Sequence, residues 1–138
     1  MDQRISFITL VVGDVAASRE FYVDRLGWKE DVYVPGEVLM IRTGERLMLS
    51  LWQRSAAEAE LGAIMTGSGV PPVTLAHNLA DTAQVDAVLS EATAAGADPV
   101  QPAVRRDWGG YSGYFGDPDG YRWEVAYNPG PASEFLVP

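Results

Sequence analysis

The order of predicted secondary-structure elements occurs twice along the chain, and this repeat limits the possible folds more than any other feature. The first half predicts a strand, a helix and three short strands, at 5–12, 16–26, 29–34, 38–42 and 46–52. The second half predicts the same order, with strands at 73–79, 100–106, 111–116 and 121–127 and a helix between the first two. Hydrophobic periodicity and turn residues define these elements. A duplicated βαβββ unit accounts for both halves.

The boundaries of the two predicted helices also repeat. Asp14 and Asp81 are placed as N-caps, and Gln84 follows Asp81 at the spacing of a capping box. Gly27 and Gly96 stand where a C′ glycine ends a helix. The apolar residues between these caps lie at helical spacing, which predicts a buried stripe on each helix. Matching caps at matching places strengthen the case for duplication.

The chain of 138 residues is predicted to form a single α+β domain, because each half alone is too small to bury its sheet. Unit one covers about 1–54 and unit two about 71–128. The segment at about 55–70 is a linker with a short helix and a flexible Gly-Ser connector. The last segment, 129–138, begins with Pro-Gly-Pro and is predicted to be an irregular tail.

Composition excludes several function classes. A formal charge of −9 without a basic stripe disfavours nucleic acid and anionic membranes, and it favours cationic ligands through electrostatic steering. The absence of cysteine excludes disulfides, thiolate nucleophiles and Cys-ligated metals. The sequence shows neither a signal peptide nor an apolar run of membrane-spanning length, so we expect a cytoplasmic protein.

Two runs of residues resemble the signatures of the vicinal oxygen chelate superfamily. The first is Val12-Gly13-Asp14-Val15 with Ser18, Phe21-Tyr22 and Leu26-Gly27-Trp28. The second is Trp108-Gly109-Gly110-Tyr111-Ser112-Gly113-Tyr114-Phe115 with Asp117-Pro118-Asp119-Gly120 and Trp123-Glu124-Val125. This superfamily includes glyoxalase I, extradiol dioxygenases, fosfomycin-modifying enzymes and bleomycin-resistance proteins. The resemblance implies two tandem βαβββ units that form a curved mixed sheet and a cleft, with the helices outside.

The resemblance also implies where a metal would bind. The metal enzymes of this superfamily place their ligands on the first and last strands of each unit, and the equivalent positions here are Phe7, Met48, Thr74 and Glu124. A catalytic divalent metal needs about three nitrogen or oxygen ligands from the protein. Of these four residues only Glu124 is a plausible ligand, which falls short of three. The sequence therefore predicts no metal and no cofactor.

The sequence predicts that Glu124 is the polar anchor of an aromatic cleft. A carboxylate in an apolar strand must be paired with Arg122, protonated, or left exposed to water in the cleft. Trp108 is the preferred aromatic candidate, since the glycines that follow it permit close approach of a ligand. The full set of predicted ligand-binding residues is Trp108, Tyr111, Glu124, Asn78, Arg122, Trp52, Phe7 and Thr74.

His77 is the single histidine of the chain. Strand alternation places Thr74 and Asn78 on one face and His77 on the other, which favours a structural histidine on the helix side. A shift of one residue in the register would bring His77 into the cleft as a general base. Glu124 and His77 are therefore the two catalytic candidates.

Two classes of function remain open. The first is a metal-free protein that binds a small organic molecule, as bleomycin-resistance proteins do. The second is an enzyme of the same superfamily: a lyase, dioxygenase or thiol transferase with a degenerate or partner-completed metal site, or a metal-free enzyme that uses Glu124 or His77. A Ser-His-Asp triad has no support in the sequence. The resemblance and the exposed edges expected of small sheets predict a homodimer.

Overall fold

The computed structural model describes residues 1–131 and 133–137, without the side chain of Phe135. The chain divides into two compact units, Met1–Ser68 and Gly69–Pro138. Each unit has one four-stranded mixed sheet with helices. The predicted α+β class with two tandem units is confirmed.

Unit 1 follows the predicted βαβββ order. Its elements are β1 (Phe7–Val12), α1 (Val15–Arg19), a π-helical turn (Glu20–Arg25), β2 (Val32–Val34), β3 (Val38–Gly44), β4 (Leu47–Gln53) and α2 (Arg54–Leu61). The sheet order is β1-β4-β3-β2. β1 pairs with β4 in parallel, and the other pairs are antiparallel.

Unit 2 repeats this topology. Its elements are β5 (Thr74–Leu79), α3 (Thr82–Ala94), β6 (Val100–Arg105), β7 (Tyr111–Gly116), β8 (Arg122–Tyr127) and α4 (Ser133–Leu136). The sheet order is β5-β8-β7-β6, again with one parallel pair, β5–β8, and two antiparallel pairs. The same strand order in both sheets confirms the duplication that the sequence predicts.

The predicted caps begin and end the helices as expected. The Asp14 carboxylate accepts a hydrogen bond of 2.9 Å from the amide two residues on. Asp81 accepts one of 2.8 Å from the amide of Gln84. Gly27 and Gly96 have φ angles of 75° and 88°, a region that suits glycine at a helix end.

The first predicted helix is not uniform, because α1 continues into the π-helical turn. Within this turn the amide of Leu26 donates to the carbonyl oxygen of Phe21, five residues back, at 3.0 Å. Phe21 and Tyr22 are 3% and 0% exposed. A π-turn holds one more residue than an α-turn, so neighbouring side chains are rotated less from each other and both aromatics enter the core. The prediction that both are core residues is confirmed.

In unit 2, α3 covers one face of the sheet. A Cβ atom added at Gly113 would lie 2.6 Å from Leu89 Cδ1 of α3, which shows how closely the helix approaches β7. Val125, directly beside Gly113 on β8, is fully buried. Side chains alternate along a strand. The face of unit 2 opposite α3 is therefore formed by Thr74, Ala76, Asn78, Ser112, Tyr114, Arg122, Glu124 and Ala126.

Two segments differ from the predicted elements. The strand predicted from Lys29 begins at Val32; just before it, the Asp31 carboxylate accepts a hydrogen bond of 2.8 Å from the amide of Arg42. The tail predicted to be irregular contains one helical turn, α4, which begins where Ser133 Oγ bonds the carbonyl oxygen of Gly130 at 2.8 Å. Two further residues of that tail, 132 and 138, lie outside the described residues.

The length and polarity of these helices decide whether any of them could span a membrane. Within residues 1–131 and 133–137, no helix is both long enough and apolar enough to cross a lipid bilayer.

Candidate ligand-binding site in unit 2

A hydrogen-bonded pair, Tyr114 and Glu124, lies at the centre of the face of unit 2 opposite α3. The two residues are direct partners in the antiparallel ladder of β7 and β8. The Tyr114 hydroxyl donates to Glu124 Oε1 at 2.9 Å, and both side chains are half-buried. Burial and then the hydrogen bond to Glu124 raise the pKa of Tyr114. Tyrosine therefore acts as a neutral donor, and the second carboxylate oxygen, Oε2, has no protein donor among the described residues.

Arg106 adds a positive charge beside this pair. Its Nε donates to Ser112 Oγ at 3.0 Å, and its Nη2 donates to the Ser112 carbonyl oxygen at 2.9 Å. The guanidinium carbon lies 5.6 Å from the centroid of the Tyr114 ring, within the range of a cation–π contact. Ser112 is fully buried, so the anchor of the guanidinium is fixed.

Arg106 and Glu124 therefore flank the same tyrosine, one near its ring and the other at its hydroxyl. Within the described part of the chain no ion pair joins the two charged groups, and each of them contacts Tyr114 instead. A carboxylate with a free oxygen can bind a cation or a hydrogen-bond donor. The same carboxylate beside a neutral phenol can also exchange a proton with a bound molecule.

Arg122 does not pair with Glu124 among the described residues. Its Nη1 donates to the carbonyl oxygen of Gly120 at 3.0 Å, which directs the guanidinium to the turn between β7 and β8. A Cβ atom at Gly116 would lie 2.6 Å from this Nη1 atom, so the arginine packs closely on the turn. Pairing with Arg122, the first possibility for Glu124, is thus not the arrangement found.

Thr74 and Asn78 lie on the same face as Glu124. The parallel register of β5 and β8 pairs Thr74 with Arg122 and Asn78 with Ala126. Thr74 is exposed and Asn78 is half-buried. Both residues therefore lie on the strand beside Glu124, one on each side of its direct partner Ala76 along the same face.

Trp108 lies in the turn between β6 and β7, with 55% of its surface exposed. Its ring covers Gly110 so closely that a Cβ atom there would lie 1.8 Å from two ring carbons. The preceding Gly109 has a φ of 95°, which explains a glycine at that point of the turn. The ring is thus an exposed flat surface whose position is fixed by its packing on Gly110.

Tyr111 lies on the opposite face of the sheet from Glu124, since it is three residues from Tyr114 along the same strand. Its hydroxyl donates to Asp86 on α3 at 2.8 Å, and this bond is the main reason that the pKa of Tyr111 is raised. This position therefore does not support the prediction that Tyr111 contacts a ligand together with Glu124.

His77 pairs with Val125 in the ladder of β5 and β8, which places it on the face that α3 covers. This is the face that strand alternation predicts. The side chain is exposed at the outer strand, but partial burial still lowers its pKa. The imidazole is therefore neutral at pH 7 and lies away from Glu124.

Unit 1 holds the remaining predicted ligand residues, Phe7 and Trp52. Phe7 pairs with Met48, and Trp52 lies four residues beyond Met48 on the same side of β4. The opposite side of this sheet carries the buried Leu49 and Leu51. Phe7 and Trp52 thus share the face of unit 1 that is turned away from its apolar core, and Phe7 is 51% exposed.

The residues at the superfamily's metal positions do not fit a divalent cation. In unit 2 the register places Ala76 beside Glu124, where the repeat predicted Thr74. In unit 1 Phe7 stands beside Met48. Within the described residues, no three His, Cys, Asp or Glu side chains come together as a metal site would require. No step of the function can be derived through a metal from these positions.

The chain belongs to the Glyoxalase/Bleomycin resistance protein/Dioxygenase superfamily, whose sequence model matches residues 4–125. The family recognised from the two signature runs is thereby confirmed. No curated protein matches the sequence.

Solved structures agree with this assignment. A glyoxalase-related enzyme from Fulvimarina pelagi is 33% identical, with a TM-score of 0.80 over 92% of this chain and 89% of that one. A glyoxalase/bleomycin resistance protein/dioxygenase from Nocardioides is 25% identical, with a TM-score of 0.78 over 94% and 89%. Lactoylglutathione lyase from Agrobacterium tumefaciens is 26% identical, with a TM-score of 0.70 over 93% and 96%.

Three residues of the site were not among the predicted ligand-binding residues: Arg106, Ser112 and Tyr114. Tyr114 stands in the second signature run, where no sequence pattern gives it a partner. The turn at 117–120 is tight: the Gly120 amide donates to the carbonyl oxygen of Asp117 at 2.9 Å, and the Asp117 amide donates to the carbonyl oxygen of Tyr121 at 3.0 Å. The ladder that follows this turn makes Tyr114 the direct partner of Glu124.

Proposed function

We propose that this protein binds a small organic molecule on the face of unit 2 opposite α3, without a metal, and that Glu124 anchors a cationic or hydrogen-bond-donating group of that molecule. One observation carries the proposal. The Glu124 carboxylate is half-buried, with Oε1 held by Tyr114 and Oε2 without a protein donor among the described residues. A carboxylate in such a place is stabilised when a bound donor completes its hydrogen bonds.

The expected strength of this contact follows from its chemistry. A charge-assisted hydrogen bond to a carboxylate contributes on the order of 1.5–3 kcal/mol. Tyr114 holds the carboxylate in one orientation before the ligand arrives, which reduces the entropy lost on binding. The net charge of −9 adds long-range attraction for a cation. The exposed ring of Trp108 offers a flat apolar surface in the same unit.

Replacing Glu124 with glutamine tests this function. The amide keeps the shape but removes the charge, so we expect the affinity for a cationic ligand to fall about tenfold or more. A thermal-shift screen of cationic and planar compounds supplies the ligand, and calorimetry measures its Kd. Glu91→Gln on α3 is the matched control, because Glu91 is exposed and lies away from the site. Equal affinities in wild type and a folded Glu124→Gln variant would show that Glu124 is structural.

An enzyme of the same superfamily is the second candidate, favoured by the similarity to a lactoylglutathione lyase structure. The Tyr114–Glu124 pair would be its proton-transfer group in a metal-free reaction. Elemental analysis separates the metal-dependent form from our proposal. We expect no stoichiometric metal in the purified protein. One equivalent of zinc, nickel, iron or manganese, retained on dialysis and lost in Glu124→Ala, would contradict a metal-free site.

We also propose that the protein is a homodimer. The beginning of unit 1 exposes apolar side chains, with Ile5 69% and Phe7 51% exposed, and β1 is an outer strand of its sheet. Proteins cover such edges because unpaired strands invite association. Light scattering at micromolar concentration should give twice the mass of the chain, and the mass of a single chain would contradict this expectation.

A further inference from the structure

We infer that the molecule bound beside Glu124 also carries an anionic or hydrogen-bond-accepting group, and that Arg106 binds this second group. The ligand class is then a zwitterion or a strongly dipolar molecule rather than a simple cation. This inference rests on the proposed function, and it adds a second anchor of opposite charge to the same site.

The hydrogen bonds of Arg106 leave one side of its guanidinium available. Nε and Nη2 both donate to Ser112, one to its hydroxyl and one to its carbonyl oxygen. These two nitrogens form one edge of the planar group. The other edge, made by Nη1 and the second hydrogen of Nη2, has no acceptor among the described residues. That edge has the spacing that binds a carboxylate through two parallel hydrogen bonds.

The orientation of the guanidinium is fixed before a ligand binds. Ser112 is fully buried in β7, and it holds Arg106 through two bonds of 3.0 and 2.9 Å. The contact with the Tyr114 ring, at 5.6 Å, adds a third restraint. An arginine that served only to close the hairpin would not need this side-chain arrangement, because its own backbone amide already bonds Gly110 across the turn at 2.9 Å.

The two charged groups contact the same tyrosine on one face of the sheet. The cation of Arg106 is near the ring of Tyr114, and the carboxylate of Glu124 is at its hydroxyl. A ligand bound beside this tyrosine therefore meets both an anion and a cation. A ligand with a single positive charge would gain from Glu124 but would be repelled by Arg106.

Three benzene derivatives test the inference: 4-(aminomethyl)benzoate with both charges, benzylamine with the cation alone, and benzoate with the anion alone. Calorimetry or NMR titration measures Kd for each. We expect the zwitterion to bind about tenfold more tightly than either single-charge probe. Arg106→Gln should weaken the zwitterion about tenfold and leave benzylamine unchanged or slightly tighter.

Further variants separate charge from folding. Arg106→Lys keeps the charge and should retain part of the preference for the zwitterion. Arg105→Gln is the matched control, since Arg105 is exposed and is the partner of Tyr111 on the side of α3; it should leave all three affinities unchanged. Thermal unfolding confirms that each variant is folded.

The outcomes distinguish the two proposals. If benzylamine binds as tightly as the zwitterion, depends on Glu124 and is indifferent to Arg106→Gln, the second anchor is wrong and the proposed function stands. If the affinity for the zwitterion depends on neither Arg106 nor Glu124, the second anchor and the proposed function are both wrong. The same holds if none of the probes binds at millimolar concentration. Dependence of the zwitterion on both residues supports both.

Discussion

Replacing Tyr22 with alanine should lower the free energy of unfolding by about 3–5 kcal/mol, the usual cost of removing a buried aromatic side chain. Tyr22 is fully buried, with its ring 5.0 Å from that of Phe21 and 5.4 Å from that of Trp28. The cavity left by the missing ring removes its contacts with both Phe21 and Trp28. Because a domain of this kind is stable by about 5–15 kcal/mol, the loss takes a third or more of the total in many cases.

Denaturant unfolding measures this effect, and Tyr33→Ala is the control. Tyr33 is half-buried on β2, and its ring contact with Arg19, at 5.2 Å, lies near the surface. An exposed cation–π contact contributes about 0.5–1 kcal/mol, so the control should cost much less. Similar losses for the two variants would mean that the π-helical turn does not hold Tyr22 in the core as described.

Replacing Gly113 with alanine should lower the free energy of unfolding by about 1–3 kcal/mol, the range for an overpacked core. The new Cβ atom would lie 2.6 Å from Leu89 Cδ1 and 2.6 Å from the carbonyl oxygen of Gln101. The second neighbour is backbone, which cannot turn away as a side chain can. The sign of this change in stability is informative, because alanine within a strand otherwise stabilises a protein relative to glycine.

Gly67→Ala provides the control, because a Cβ atom at Gly67 meets nothing within 4 Å. That change should be neutral, or it should stabilise the protein by up to about 1 kcal/mol because it lowers the conformational entropy of the unfolded chain. Gly113 lies between Ser112 and Tyr114, so a displacement of β7 also moves two parts of the proposed site. Ligand affinity should therefore fall in Gly113→Ala even where the variant remains folded. A Gly113→Ala protein as stable as wild type would contradict the close packing of α3 on β7.

The fold was largely predictable, because it depends on local signals that occur twice. The capping aspartates, the C′ glycines and the alternation of apolar residues each identify an element without knowledge of its neighbours. The π-helical turn was not predictable in this way. It depends on how Phe21 and Tyr22 pack in the core, and tertiary packing overrides the regular helical period.

The site was only partly predictable, because it depends on register between strands. Glu124 was identified from its family position, and Thr74 and Asn78 were placed on its face by alternation. The register of β7 on β8 decides that Tyr114, rather than Phe115, stands on the face of Glu124. Arg106 lies beyond the end of β6, and its long side chain returns to Ser112 in a way that no local pattern specifies. Whether these residues bind a ligand remains a prediction.

The outer strands of the two sheets bear on whether this protein can form fibres. In unit 1 the outer strand β2 is three residues long, and in unit 2 the outer strand β6 carries Pro102 within a β-bulge between Gln101 and Val104. Proline lacks the amide hydrogen that a further strand would need, and a three-residue edge offers little to pair with. Only β1 and β5 remain as edges along which these sheets could be extended. Each sheet can therefore gain strands on one side only, so a single unit cannot serve as a link in a continuous β-fibre that grows in both directions.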